Sequence, residues 1–414
     1  MKLLVNNYIN YLKKIIIKNE LKFLYFFLIL SVFNNFSHFI RKNILGDRID
    51  FWDFHVYYCG AEYYLKGLVP YGDSSLGILK DCLNPNILLP VNNSPLALEI
   101  LKFLALINFS NAKFIWIILE FFSILIIYYV FGKIFFKQIL DYKYFLLFIF
   151  SFSGITFVNF WGGNISIILY GILSLGIYAL VKKNSSIFFF VIFFISIIKF
   201  YLLVFLLIPF LMDSKKYSYR IFLTILIYFL ISYIFAKYNP EITKIYFNEV
   251  FVNLNDVVRK EPGTGTFSII EKMPNVIYSL FNDGTLEFSF KTNFIIWSIS
   301  LSFLIVSIFI ILNSKKYKNK DIRMKFSIIM GILIAMLAIP RLVSYDLIIC
   351  LPVIFYLITQ LNINKNKIMF FDIKNILFLS ILIIHDHHYP FFMVILLISL
   401  FIYSEFYKKK LFIH

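Results

Sequence analysis

Long apolar runs recur along nearly the whole chain, and several are separated by short clusters of lysine. A helix of about 20 apolar residues crosses the ~30 Å hydrocarbon core of a bilayer. Inside lipid the backbone must satisfy its own hydrogen bonds, and short or broken helices are tolerated only where they line a protein cavity. The runs lie at 21–40, 113–132, 143–158, 164–181, 186–198, 200–212, 219–236, 293–313, 325–340, 346–361, 373–385 and 389–406. They predict an all-α integral membrane protein, a polytopic bundle of about twelve transmembrane helices in one domain over 1–414. Residues 186–212 also admit a reading as one kinked helix. Of the 414 residues, 60% are hydrophobic and 15% charged; soluble domains average about 45–50% and about 25%. The excess of Phe and Tyr follows from codon bias as readily as from any ligand stacking.

The net charge of +17 raises the question of nucleic acid. Its distribution argues against that partner, because the lysines sit between spans and form no basic stripe on a soluble domain. Clusters of this kind mark cytoplasmic connections. They occur at the N-terminus (Lys2, Lys13, Lys14, Lys18, Lys22), at 133–143, at 213–220, at 314–325 and at Lys408–Lys410. Two long segments, 41–112 and 237–292, each carry six basic and seven acidic residues. Both are therefore expected to be extracytoplasmic loops. The run 21–40 is long for a signal peptide and precedes no small-residue cleavage site, so it is expected to stay as a signal anchor. Both termini then lie in the cytoplasm of a multi-pass protein.

Residues 95–109 test this scheme, since a further span there would invert every later lysine cluster. The segment is short, and Glu99 and Lys102 lie three apart on one helical face. It is expected to be an interfacial helix. Cys59, Cys82 and Cys350 provide no disulfide framework. Cys59 and Cys82 share the first loop and are able to pair, but spacing alone does not require it.

The first loop holds the most chemistry. Residues 53–66 have helical spacing, with Glu62 and Lys66 as an i,i+4 pair and Gly67 and Pro70 as a stop. Asp53 then sits at the helix start. One reading makes it an N-cap, worth about 1 kcal/mol; the other makes it a catalytic carboxylate. His55 points elsewhere on such a helix and is expected at the surface, and Glu62 is expected to be structural. His385-Asp386-His387-His388 are consecutive, whereas metal sites usually draw on separated positions. No metal site is expected there. The loop Arg259–Thr266 lacks the spacing of a phosphate-binding P-loop and is expected to be solvated.

The segment Asp53…Tyr57-Tyr58…Ala61…Leu65-Lys66-Gly67…Pro70-Tyr71 resembles the first-loop signature of family 87 glycosyltransferases. Asn93-Ser94-Pro95-Leu96, Gly162-Gly163-Asn164, Lys199 with the run to Pro209, and Pro340-Arg341 with Tyr345-Asp346 resemble later landmarks in the same order. The chain departs from many relatives at Gly163, where they carry Gln, and in having one proline where a pair is frequent.

The resemblance implies a GT-C-type membrane enzyme, in a bacterial plasma or inner membrane, with its active site outside. It implies a polyprenyl-phosphate sugar donor, typically the mannose derivative, and a glycolipid or glycan acceptor, with neither cofactor nor metal required. Asp53 is implied as the general base of an inverting transfer. Lys199 and Arg341 become candidates for the donor phosphate, and Tyr57, Tyr71, Asn164, Tyr345 and Asp346 for substrate positioning. For Lys199, snorkelling is the competing reading; for Asp346, a salt bridge to Arg341. The competing function is a transporter or flippase of a lipid-linked saccharide, but such proteins tend to place ionisable residues at mid-membrane, where this chain has few beyond Glu120. A cysteine placed at Asn108 is expected to react with an impermeant maleimide from the outside of intact cells; labelling only from the cytoplasm would sink the interfacial assignment of 95–109.

Overall fold

A computed structural model describes residues 22, 25–37, 40, 51–71, 82, 91, 93–136, 142–248, 265–279, 288–339, 342–361, 373–384 and 388–406. Among them the chain is helical, without strands. In order, the helices are α1 (Tyr25–Ser37), α2 (Trp52–Leu65), α3 (Pro95–Leu101), α4 (Phe109–Phe135), α5 (Tyr142–Gly162), α6 (Ser166–Val181), α7 (Ser185–Ile198), α8 (Leu207–Tyr238), α9 (Pro240–Tyr246), α10 (Thr266–Ser279), α11 (Phe290–Leu312), α12 (Lys320–Leu337), α13 (Leu351–Gln360), α14 (Ile373–Ile383) and α15 (Tyr389–Phe406). Short 3-10 turns cover Lys102–Leu106, Phe200–Leu206, Lys315–Lys318 and Ser344–Cys350.

Each apolar run of the sequence coincides with helix, but the expected twelve spans are not reproduced by length. Among the described residues four helical stretches are long and apolar enough to cross a membrane, or five if the bent α5 is one span. The other runs form apolar helices of 10–17 residues or, at α12, a helix whose start carries Lys320, Asp321, Arg323 and Lys325. The second run begins earlier than expected, at Phe109, because the Asn108 side chain accepts from Asn111 N–H at 2.9 Å and caps α4 there. Residues 95–109 are not one helix. Ser94 caps α3 and Pro95 occupies its first turn; the 3-10 turn and an extended Ile107 then hand the chain to α4. Glu99 and Lys102 pair as their spacing suggests.

The connection expected at 213–220 is largely helical. Only Asp213 leaves helical geometry, at φ −163° and ψ 89°. It divides the 39-residue stretch Phe200–Tyr238, which at ~1.5 Å per residue is about twice the hydrocarbon thickness. The α5 helix also breaks, by 72° between Tyr144–Phe152 and Gly154–Gly162. Such a break frees carbonyls that need new donors. Ser31 of α1 supplies one to Phe150 O at 3.0 Å, and Thr156 supplies one to Phe148 O at 2.6 Å.

Residues 326–337 of α12 and 351–358 of α13 are buried on every side and form the centre. Along α8 and α11 many large apolar side chains, among them Phe222, Phe229, Tyr233, Ile299 and Phe303, are exposed. Tyr71, beyond α2, and Tyr246 of α9 bring their rings within 5.3 Å of each other. At the far end of α11, Lys316 pairs with Glu405 of α15 at 2.7 Å. Cys59 of α2 and Cys82 form a disulfide.

A close approach of α4 and α6 rests on one glycine. A Cβ on Gly171 of α6 would lie 2.6 Å from the Ser123 side chain and 2.9 Å from its Cα on α4. Gly171→Val is expected to cost about 1–3 kcal/mol through overpacking, seen as a lower thermal midpoint in detergent. Gly132→Ala, with nothing within 4 Å, is expected to leave that midpoint unchanged or slightly raised.

Candidate active site

The start of α2 is built against the turn between α5 and α6. Phe51 N–H donates to Trp161 O at 3.0 Å, and Phe51 itself takes a left-handed conformation, φ 58° and ψ 38°. That conformation costs a bulky residue roughly 1–2 kcal/mol, and such strain gathers at functional sites. Gly163 is left-handed too, φ +66°. A Cβ on it would lie 2.6 Å from the Phe51 ring and 2.8 Å from Phe54 Cβ. Trp116 of α4 closes the junction, its indole N–H donating to Gly163 O at 3.0 Å while its ring lies 5.2 Å from Phe54 and 5.8 Å from Tyr57.

This junction decides the role of Asp53. The helix starts at Trp52 with no capping side chain, so Asp53 is not the N-cap. It lies in the first turn, where the helix dipole favours an anion. Its Oδ2 accepts from Asn164 Nδ2–H at 2.7 Å. Asn164 is buried, and its Oδ1 accepts from Ser166 N–H at 2.9 Å and from Lys199 Nζ at 3.4 Å. Lys199 Nζ also donates to Ser166 Oγ at 2.6 Å, and Ser166 Oγ–H donates to Asp346 Oδ1 at 2.6 Å. Asn164, Ser166 and Asp346 are buried, whereas Asp53 and Lys199 each keep part of their surface open. The ammonium lies 5.8 Å from the centre of the Tyr201 ring.

Lys199 follows α7 in extended geometry, φ −132° and ψ 96°, so its side chain enters the cluster instead of snorkelling along a helix. Burial pushes the Asp53 carboxyl up to about 6; the Asn164 hydrogen bond and the Lys199 charge pull it down, and the Asp346 charge pushes it up. A carboxyl at that position is a base poised for use near neutral pH.

Four expected site residues, Asp53, Asn164, Lys199 and Asp346, thus come together from helices far apart in the chain. Tyr57 and Tyr71 make contacts of their own. Tyr57 packs on Trp116, and Tyr71 donates to Asn93 O at 2.8 Å, holding the first loop to the start of α3. Arg341 lies outside the described residues, as do the side chain of Tyr345 and residues 385–387. The expected Arg341–Asp346 salt bridge is therefore outside them too, and the described partner of Asp346 is Ser166. His55 is not on the surface but half-buried, its ring 4.4 Å from Phe109. Glu62 pairs with Lys66 at 2.6 Å. Ser166 was missed by sequence reasoning; only its place two residues after Asn164 hinted at it. Glu120 is fully buried one turn below Trp116.

The model of glycosyltransferase family 87 matches residues 93–340, more than half of the chain. The chain belongs to glycosyltransferase family 87. No curated protein and no solved structure matches it. The family makes it a membrane glycosyltransferase. The matched region includes Asn164, Ser166 and Lys199 but neither Asp346 nor Asp53; Asp346 enters the site through its hydrogen bond from Ser166 and Asp53 through its hydrogen bond from Asn164.

Two glycines separate strain from contact. Both Gly163 and Gly67 are left-handed, but a Cβ on Gly67 would meet nothing within 4 Å. Gly163→Ala is expected to displace the start of α2, reducing sugar transfer about tenfold or more (about 1.4 kcal/mol of barrier) and lowering the thermal midpoint. Gly67→Ala should carry only the conformational cost, with transfer retained.

Proposed function

We propose that this family 87 glycosyltransferase moves a hexose, mannose by family precedent, from a polyprenyl-phosphate donor to a glycolipid or glycan acceptor on the extracytoplasmic face. The observation that carries the reading is the state of Asp53: a carboxylate in a first helical turn, free of capping duty, partly open to solvent and oriented by Asn164. In the transfer, Asp53 takes the proton of an acceptor hydroxyl as its oxygen attacks the anomeric carbon from the face opposite the phosphate. The new glycosidic bond forms, the bond from the anomeric carbon to the phosphate oxygen breaks, and polyprenyl phosphate leaves with both electrons. The configuration inverts.

An extracytoplasmic setting fits two further facts. The Cys59–Cys82 disulfide lies on the helix that carries Asp53, and disulfides persist in oxidising compartments. The exposed apolar faces of α8 and α11 suit a donor whose tail stays in lipid. Arg341 is a candidate for the donor phosphate on sequence grounds, four residues beyond α12, as a guanidinium suits a phosphate. The proposed transfer uses neither metal nor cofactor, as the family resemblance implies.

The test is transfer from radiolabelled polyprenyl-phosphate hexoses to a membrane glycolipid extract, comparing native protein with Asp53→Asn. A general base contributes about 10²–10⁴-fold, and a loss of that size is expected. Equal activity in both removes Asp53 from the mechanism; saccharide movement across vesicles without transfer favours a flippase. The base works only when ionised, and a carboxyl at about 6 is half-ionised there and about nine-tenths ionised one unit higher. The log of kcat/KM for the native enzyme should therefore fall below a bend near pH 6 and flatten above it.

A further inference from the structure

Lys199 was expected either to snorkel or to meet the donor phosphate, yet its hydrogen bonds run inward. An ammonium has three N–H donors. One points at Ser166 Oγ at 2.6 Å, another at Asn164 Oδ1 at 3.4 Å. Each of those partners leads to a carboxylate: Ser166 donates to Asp346, and Asn164 donates to Asp53. We propose that Lys199 is the fixed counterion and positioning residue of Asp53, anchored by the Ser166–Asp346 arm, with its charge directed to the base and not to the donor phosphate. The inference rests on Asp53 being the base, but the electrostatic link it describes is measurable without activity.

The donor directions make the relay specific. Asp346 has only acceptor oxygens when ionised, so it fixes the Ser166 proton toward itself and leaves the serine lone pairs for Lys199. Lys199 has no acceptor, so the Asn164 group facing it must be the carbonyl oxygen. Ser166 N–H makes the same demand at 2.9 Å. The amide nitrogen of Asn164 is thereby turned to Asp53, which receives a donor rather than a second lone pair. Exchanging oxygen and nitrogen on Asn164 would break all three bonds at once.

The charge pattern points the same way. The cluster holds two carboxylates, one ammonium and the Tyr201 phenol beside Lys199 and Ser166, so a phosphate brought to Lys199 would also meet the like charges of Asp53 and Asp346. A half-buried ammonium gains from nearby carboxylates, and Asp346, 5% exposed, supplies one through Ser166. An acceptor hydroxyl, neutral and in need of a base, suits this pocket better than a phosphate. Asp53 keeps surface open for it.

The experiment follows the Asp53 carboxyl by infrared difference spectroscopy in reconstituted full-length protein, with Asp53→Asn as the subtraction control. The native midpoint is expected at about 6. Lys199→Met should raise it by about one unit or more, because an opposite charge is lost. Asp346→Asn should lower it, because a like charge is lost. Ser166→Ala should raise it less than Lys199→Met does, and Lys199→Arg should return it toward native. Methylammonium added to Lys199→Ala should lower the raised midpoint again. Midpoints that coincide in native, Lys199→Met and Ser166→Ala would overturn the proposal. So would a Lys199→Met enzyme whose only change is a higher donor KM, the signature of a phosphate contact. Where Lys199→Met fails to fold, the Ser166→Ala and Asp346→Asn shifts decide, and their absence counts against the relay. If Asp53→Asn keeps transfer activity, the base assignment fails instead, and the two failures are told apart.

Discussion

The hydrogen bond from Asn164 to Asp53 holds together residues 111 positions apart, and the surrounding construction serves that contact. Gly162 and Gly163 lack the Cβ atoms that would push α2 away: one on Gly162 would lie 2.9 Å from the Trp52 ring, and one on Gly163 2.6 Å from the Phe51 ring. Trp116 grips the turn from α4 by its indole N–H, and Phe51 accepts a left-handed backbone so that its N–H reaches Trp161 O. The disulfide at Cys59 fastens the same helix two turns further on. The start of α2 is thereby tied to α4, α5 and the α5–α6 turn at several points.

That contact also explains the polar economy of the bundle. The central helices α12 and α13 are apolar over 326–337 and 351–358 apart from Ser327 and the hydroxyl of Tyr356, while the polar side chains of the site come from helix ends and connections. Asp53 opens α2, Asn164 and Ser166 straddle the α5–α6 turn, Lys199 closes α7, and Asp346 lies in the 3-10 turn before α13. Helix termini expose unsatisfied backbone groups, so polar side chains gathered there meet partners without desolvating a helix interior.

Helical character and helix positions were legible in the sequence because apolar runs report burial or lipid contact directly. Span number was less legible, since the 39 residues of Phe200–Tyr238 contain lysines that hydropathy treats as a loop while their backbone stays helical around a break at Asp213. In the site, the Gly-Gly-Asn turn was visible, yet nothing local distinguishes an aspartate that caps a helix from one that stands beside the cap. That difference depends on Phe51 reaching Trp161 O, a contact between distant segments. Ser166 was invisible for the same reason. It is an ordinary helix-start serine until Lys199 and Asp346 arrive from elsewhere. The family match covers residues 93–340 and leaves Asp53 and Asp346 to be supplied by geometry.

The central claim is that sugar transfer takes place where Asp53 meets Asn164. It is tested most directly by photo-crosslinking with a polyprenyl-phosphate hexose that carries a diazirine on the sugar, followed by mass spectrometry of the labelled peptides. Labelling of the peptides containing 51–65 and 160–170, competed away by unlabelled donor, is the predicted result. Competable labelling confined to the opposite end of the bundle, at 182–185 or 313–320, would contradict the account.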